Sequence, residues 1–274
     1  MTPARSGEVG APASRQVRRG VWVFLLSTLL GSWVPWTVLL VTSADPFAGP
    51  VATTLWILGG YGPTVAALLT ARIVDGRAGL RHLLAGLRRW RVGRWYLTLV
   101  LPLAVAPAAV LATVAAGPAV LELAGSGHWV LLPAMLAGGV LFGGFEEVGW
   151  RGYLLPRLQP SMGSVAASVV IGLVWALWHA PLFLLQTTAQ ASFDPVAFTL
   201  HAVALSLVLT WLYDGSGGSV LLAVLFHGAV NGAYEAVIGG IAPEAIDGFL
   251  APAAAAFLLV AVVARLGRVV MRGR

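Results

Sequence analysis

Eight stretches of largely apolar residues, each close to the twenty or so that a helix needs to cross the hydrocarbon core of a bilayer, restrict the fold of this chain more than any other feature. They run roughly over 21–42, 51–73, 96–122, 130–157, 164–187, 195–213, 218–240 and 249–267. A spanning segment must satisfy its own backbone polar groups, and runs of this length do so as helices. The pattern predicts an all-α, polytopic membrane helix bundle of about eight transmembrane helices. Composition agrees: 58% of the residues are hydrophobic and 10% charged, where a soluble domain carries about 25% charged residues. A water-soluble globule is excluded. The first stretch is too long for a signal peptide, lacks a small-residue cleavage site and reads as a retained anchor.

The basic residues report orientation. All 17 are arginines, and the net charge is +6. Arg5, Arg15, Arg18 and Arg19 precede the first span; Arg72, Arg77, Arg81, Arg88, Arg89, Arg91 and Arg94 lie between the second and third. Arg151 and Arg157 sit near the end of the fourth, and Arg265, Arg268, Arg272 and Arg274 close the chain. The opposite loops hold Asp45, Glu122, Asp194, Glu244 and Asp247 and no arginine. By the positive-inside rule both termini are cytoplasmic, as in a multi-pass protein of the cell inner (plasma) membrane. Basic residues confined to the edges of apolar runs do not form a nucleic-acid-binding face. Residues 1–20, rich in Ser, Gly, Pro and Arg, are expected to be disordered. Segment 75–95 sets Leu80, Leu83, Leu84 and Leu87 at helical spacing beneath arginines, the pattern of an interfacial helix. The chain has no cysteine and no lysine, which removes thiolate and Schiff-base chemistry.

Ionisable residues inside spans are a functional hypothesis by default, and here they fall on three helices. The fourth span holds Glu146, Glu147 and Arg151. Each charge costs roughly 2.5–3.5 kcal/mol near the bilayer centre, while each Leu, Val or Phe returns about 0.3–0.6, so this turn cannot face lipid. Glu147 and Arg151 are spaced for an i, i+4 ion pair, whereas Glu146 points about 100° away. The fifth span carries Trp175, Trp178 and His179, with Pro181 expected to kink the helix there. The seventh carries His227 and Asn231 on one face. Counted from the cytoplasmic ends at about 1.5 Å per residue, Glu146, His179 and His227 lie roughly 16, 22 and 14 Å deep, which points to one shared polar site. His201, near the outer end of the sixth span, reads as a helix-packing residue. Tyr153, Met162, Trp33, Trp36, Trp90 and Trp95 read as packing or interface residues. Gly138, Gly139, Gly143 and Gly144 would admit a close neighbour.

A carboxylate, two imidazoles and an amide in a shielded cavity suit water activation and oxyanion stabilisation. Glu146 would take a proton from water, His179 would hold that water, His227 and Asn231 would donate to the oxyanion, and Glu147 with Arg151 would orient the site. The serines within the spans, Ser164, Ser168 and Ser206, are not expected beside these groups. The same buried groups also suit a proton-coupled transporter or a non-catalytic immunity or scaffold protein.

The ordered set Glu146-Glu147-Val-Gly-Trp-Arg151, Trp175-Ala-Leu-Trp-His179 and His227-Gly-Ala-Val-Asn231 resembles the three motifs of the CPBP family (CAAX proteases and bacteriocin-processing enzymes, also called the ABI family). Gly60–Leu69 and the Arg/Trp segment 88–96 are similar to weaker family features, so the resemblance covers roughly 50–240. Trp175 stands where phenylalanine is commoner. The resemblance implies an intramembrane glutamic endopeptidase built as one transmembrane peptidase domain, 21–274, with a catalytic core of about 125–235. Its expected partners are the lipid bilayer and a membrane-associated or lipidated peptide or protein, with no nucleic acid. No cofactor is expected. Zinc held by Glu146, His179 and His227 is the alternative mechanism, disfavoured because His-Glu-x-x-His is absent and Asn231 is a poor zinc ligand.

Overall fold

The computed structural model describes residues 11–116, 128–238 and 246–272, which are helical with no strand among them. Helix α1, Ala11–Val41, starts upstream of the expected boundary. Residues 1–10 lie outside the described residues, but 11–20 are helical: Ala, Gln and Arg favour a helix there, and Pro12 sits in the first turn where its missing N–H costs nothing. The second predicted span is two helices, α2 (Pro50–Gly60) and α3 (Gly62–Ile73), meeting at 53°. Pro63, in the first turn of α3, lacks the N–H that would continue α2. Helix α4, Gly76–Leu87, is the predicted amphipathic segment, with Leu83 buried and Arg77 and Arg81 exposed. After a 3-10 turn, Gly93–Leu99, comes α5, Val100–Ala116. The far end of the third predicted span lies outside the described residues.

The next run decides where the site sits. Helix α6 (Leu132–Phe142) breaks at Gly143, and a 3-10 turn (Gly144–Glu146), the single turn α7 (Glu147–Gly149) and a π turn (Trp150–Leu154) lead into α8, Leu155–Trp178. In a straight helix Glu146 and Trp175 would stand roughly 44 Å apart. Instead the Trp175 indole bonds the Glu146 carboxylate at 2.7 Å. The chain therefore reverses between them, at Pro160–Gly163, where Gly163 adopts φ 76° and ψ 167°, a conformation that a side chain disfavours. The predicted fourth and fifth spans are the two arms of this hairpin. Helices α9 (Pro195–Gly215), α10 (Val220–Ile238) and α11 (Ile246–Arg272) complete the bundle.

Among the described residues six helices are long and apolar enough to cross a membrane, or seven if the bent α2–α3 pair is one span. The count of eight from the sequence takes the two arms of the 53-residue run Leu132–Leu184 separately. The arginine-bearing turns gather at one end of the molecule. Gln16 bonds the Val74 carbonyl at 3.1 Å, Arg157 pairs with Asp75 at 2.5 Å, and Gln159 and Ser164 both bond Asp214. Ser219 bonds the Arg89 carbonyl at 2.6 Å. This end joins the start of α1, the α3–α4 turn, the hairpin turn and the α9–α10 turn, the grouping that the arginine distribution predicts.

Because the chain has no cysteine, single cysteines report topology cleanly. Cysteines replacing Arg91 and Ser161 are expected to react with an impermeant maleimide only from the cytoplasmic side, and those replacing Phe47 and Asp194 only from the opposite side. Labelling of Arg91→Cys and Phe47→Cys from the same side would contradict the arrangement.

Candidate active site

The site forms where α6 fails to continue. Breaking a helix inside a bundle strands carbonyls that need donors, and the α2–α3 bend supplies them. Tyr61 donates to the Leu141 carbonyl and Thr64 to the Phe145 carbonyl, each at 2.6 Å. The break sets Glu146 and Glu147 in successive turns of different pitch, and the π turn that follows carries Arg151 inward. Such π turns recur at functional sites because they re-aim side chains.

Glu147 and Arg151 are fully buried. Arg151 Nη1 lies 2.9 Å from Glu147 Oε2, the i, i+4 pair expected from the sequence. The other end of the guanidinium bonds the Ser206 carbonyl at 3.0 Å and its hydroxyl at 2.7 Å, and that hydroxyl donates to the Ser168 carbonyl at 2.7 Å. The other Glu147 oxygen, Oε1, lies 3.0 Å from Nδ1 of His227. A chain of contacts thus runs from the α8 backbone through Ser206, Arg151 and Glu147 to His227. The serines correct the sequence expectation: Ser206 stands directly against Arg151. It gives its proton to a carbonyl and faces no base, so it serves as an anchor and not as a nucleophile.

Glu146 is separate from this clip. It is 6% exposed, and its Oε2 accepts the Trp175 indole N–H at 2.7 Å. A shallow surface groove lies beside it between the α2–α3 bend and the α6 break, lined by Gly60, Tyr61, Phe142, Gly143 and Phe145. His179 ends α8 as its C-terminal cap, with Pro181 in the 3-10 turn beyond. The helix terminates at the histidine and is not kinked there, because Pro181 offers no N–H to extend it. Trp175 is the hub of the cluster: its ring lies 5.7 Å from that of His179 and 5.0 Å from that of His227. Asn231, one turn after His227, sets its amide against Gly143, where any side chain would collide with it. The structure therefore brings Glu146, Glu147, Arg151, His179, His227 and Asn231 into one neighbourhood.

Hydrogen-bond partners fix the two imidazoles differently. His179 Nδ1 lies 2.9 Å from the Trp175 carbonyl, which can only accept, so Nδ1 is the donor and Nε2 of the neutral ring is free to accept. His227 Nδ1 meets a carboxylate and is likewise the donor. Each ring has only Nε2 left for substrate or water. Among the described residues no three His, Asp or Glu side chains are grouped to hold one metal ion. Sequence reading treated Trp175 as a wall and missed its indole as a donor; a heteroatom where a plain aromatic ring would suffice was the available signal. It also missed Ser206, a hydroxyl in the middle of an apolar helix.

Removing one partner of a buried ion pair leaves the other charge uncompensated. Arg151→Met is expected to destabilise the protein by about 3–5 kcal/mol and Ser206→Ala by about 1–3 kcal/mol. Glu147→Gln with Arg151→Met should cost less than the sum of the single changes. Denaturation of the detergent-solubilised variants measures this.

Residues 127–233 match the family model described as Type II CAAX prenyl endopeptidase Rce1-like. A CAAX prenyl protease 2 of Methanococcus maripaludis is 32% identical over 93 residues, covering 32% of this chain and 34% of the relative. A lysostaphin resistance protein A of Staphylococcus haemolyticus is 25% identical over 103 residues, covering 37% of this chain and 27% of the relative. The chain thus spans about a third of the length of these curated relatives. The matched segment contains all six residues of the polar cluster, so the similarity to the Rce1-like CAAX prenyl endopeptidases lies in the part of the chain that holds the site.

Proposed function

We propose that this multi-pass membrane protein is an intramembrane endopeptidase that hydrolyses peptide bonds of membrane-associated or lipidated substrates with water activated by Glu146. The observation that carries the reading is a buried carboxylate outside the ion-pair clip, held by the Trp175 indole N–H and bordering a shallow groove. A purely structural cluster has no need of it, since Glu147 and Arg151 already compensate one another.

In this mechanism water lies between Glu146 and the free Nε2 of His179. Glu146 takes a proton as the water oxygen attacks the scissile carbonyl. The oxyanion that develops accepts hydrogen bonds from the Asn231 amide and from the doubly protonated His227 ring, which donates Nδ1–H to Glu147 and Nε2–H to the oxyanion. Glu146 then returns its proton to the leaving amine as the C–N bond breaks, restoring the carboxylate. Glu147, Arg151 and Ser206 position His227 and touch no reacting atom. No step is drawn through a metal ion. The relative named a CAAX prenyl protease makes prenylated C-terminal peptides the first substrates to assay.

Purified protein in lipid should cleave such peptides, and Glu146→Gln should lower kcat by about 10²–10⁴-fold with an unchanged melting temperature. Full activity in folded Glu146→Gln protein would refute the mechanism. Trp175→Phe keeps the ring and removes the 2.7 Å hydrogen bond to Glu146. It should reduce kcat about tenfold or more, the scale of a hydrogen bond to a charged group, with KM little changed. A KM effect alone would assign Trp175 to substrate packing.

A further inference from the structure

Helix α4 carries a charged face that the polar cluster does not use. Arg77, Arg81 and Arg88 stand at i, i+4 and i+11, within about 40° of one another at 3.6 residues per turn, and all three are exposed. Beside them run Leu80, Leu84 and Leu87, which are half-buried. The described acids at this end are already engaged, Asp75 by Arg157 and Asp214 by Gln159 and Ser164. The three guanidiniums have no acidic partner among the described residues.

The helix lies at the depth of lipid headgroups. It connects two apolar, membrane-crossing segments, the α2–α3 pair and the run that contains α5. Ile73, which ends α3, and Trp90, just past α4, are 71% and 57% exposed. An exposed tryptophan beside the end of a span marks the interface, where arginines that flank apolar residues extend to the phosphate groups.

The other side of α4 is keyed into elements that carry the site. Leu83 is buried against Gly152, where an added methyl would come within 2.7 Å of its Cδ1. Gly152 follows Arg151 in the π turn. Gly86 packs on Val220, the first residue of α10, and a methyl there would come within 2.6 Å of Cγ2. The Ser219 hydroxyl donates to the Arg89 carbonyl at 2.6 Å and accepts the Leu222 N–H at 3.1 Å, so the chain just after α4 holds the cap of α10. Helix α4 therefore turns one face to the bilayer surface and another to the two elements that place Arg151 and His227.

We infer that the Arg77, Arg81 and Arg88 face docks on anionic phospholipid headgroups, and that this docking steadies the π turn and the start of α10. A guanidinium matches phosphate with paired donors, and each arginine near an anionic leaflet contributes about fivefold in attraction. The adjoining leucines and the position between two spans favour lipid over any soluble polyanion. Docking is independent of the endopeptidase reading.

The test uses the full-length protein in vesicles of phosphatidylcholine, alone or mixed two to one with phosphatidylglycerol. Because the chain has no cysteine, Ala85→Cys, exposed on α4, takes a single fluorophore. Energy transfer to a trace of chain-labelled phosphatidylglycerol or phosphatidylcholine then reports which lipid surrounds α4. The wild type should enrich phosphatidylglycerol there about fivefold or more, and Arg77→Gln, Arg81→Gln and Arg88→Gln together should bring the ratio close to one. Glutamine in place of Arg15, Arg18 and Arg19 removes the same charge from α1 and should leave most of the enrichment. Hydrogen exchange of residues 150–154 and 219–225 should slow on adding phosphatidylglycerol in the wild type and not in the α4 triple variant. No enrichment, or enrichment that the α4 and α1 triple variants lose equally, overturns the docking; enrichment with unchanged exchange overturns its coupling to the site. If no peptide is cleaved in any vesicle the endopeptidase reading fails, while enrichment with slowed exchange still supports this inference.

Discussion

A carboxylate and a guanidinium with no exposure to solvent hold this structure's interior together. Taking two such charges out of water is compensated only when geometry is good and the remaining hydrogen-bonding positions are met. Here Arg151 reaches Glu147 with one end and Ser206 with the other, and Glu147 uses its second oxygen on His227. The pair couples three elements: the hairpin arm that carries both charges, α9 through Ser206, and α10 through His227. The α6 break, the π turn and the hairpin reversal set the arginine where these three meet. The placement of His227 and Asn231 beside the α6 break depends on that register.

That anchoring also divides labour between residues that look alike. Two adjacent glutamates have opposite environments: Glu147 meets a guanidinium and an imidazole, while Glu146 meets the Trp175 indole and borders a shallow groove. Two histidines differ in the same way. His179 hangs from a backbone carbonyl, which leaves its Nε2 a lone pair, whereas His227 rests on a carboxylate. In the proposed mechanism a base, a water acceptor and an oxyanion donor thus arise from two residue types, distinguished by what each is bonded to.

Much of this was legible in the sequence because membrane insertion makes polar residues conspicuous. The Glu147–Arg151 pair, the distinct direction of Glu146 and the meeting of three helices at one depth all follow from helical spacing and the expense of charge in lipid. The arginine distribution likewise anticipated which turns share an end. Side-chain partners across helices were not legible. Nothing in the local sequence marks Ser206 as the arginine's second anchor, since a lone serine in an apolar helix usually bonds its own backbone. Trp175 reads as an aromatic wall until its indole is seen on Glu146. The bend at Tyr61 and the stop at His179 depend on Pro63 and Pro181, but whether a proline bends, splits or ends a helix is decided by the neighbours that meet the freed carbonyls.

The central claim is that the buried cluster hydrolyses peptide bonds with Glu146 activating water and forming no bond to the substrate. A single turnover in water enriched in ¹⁸O, with excess protein over peptide, tests it most directly. Direct attack by water predicts that each new C-terminus carries one ¹⁸O and that the Glu146 segment keeps its mass. Unlabelled product accompanied by ¹⁸O in the Glu146 side chain would contradict it, since that pattern requires the carboxylate itself to have attacked.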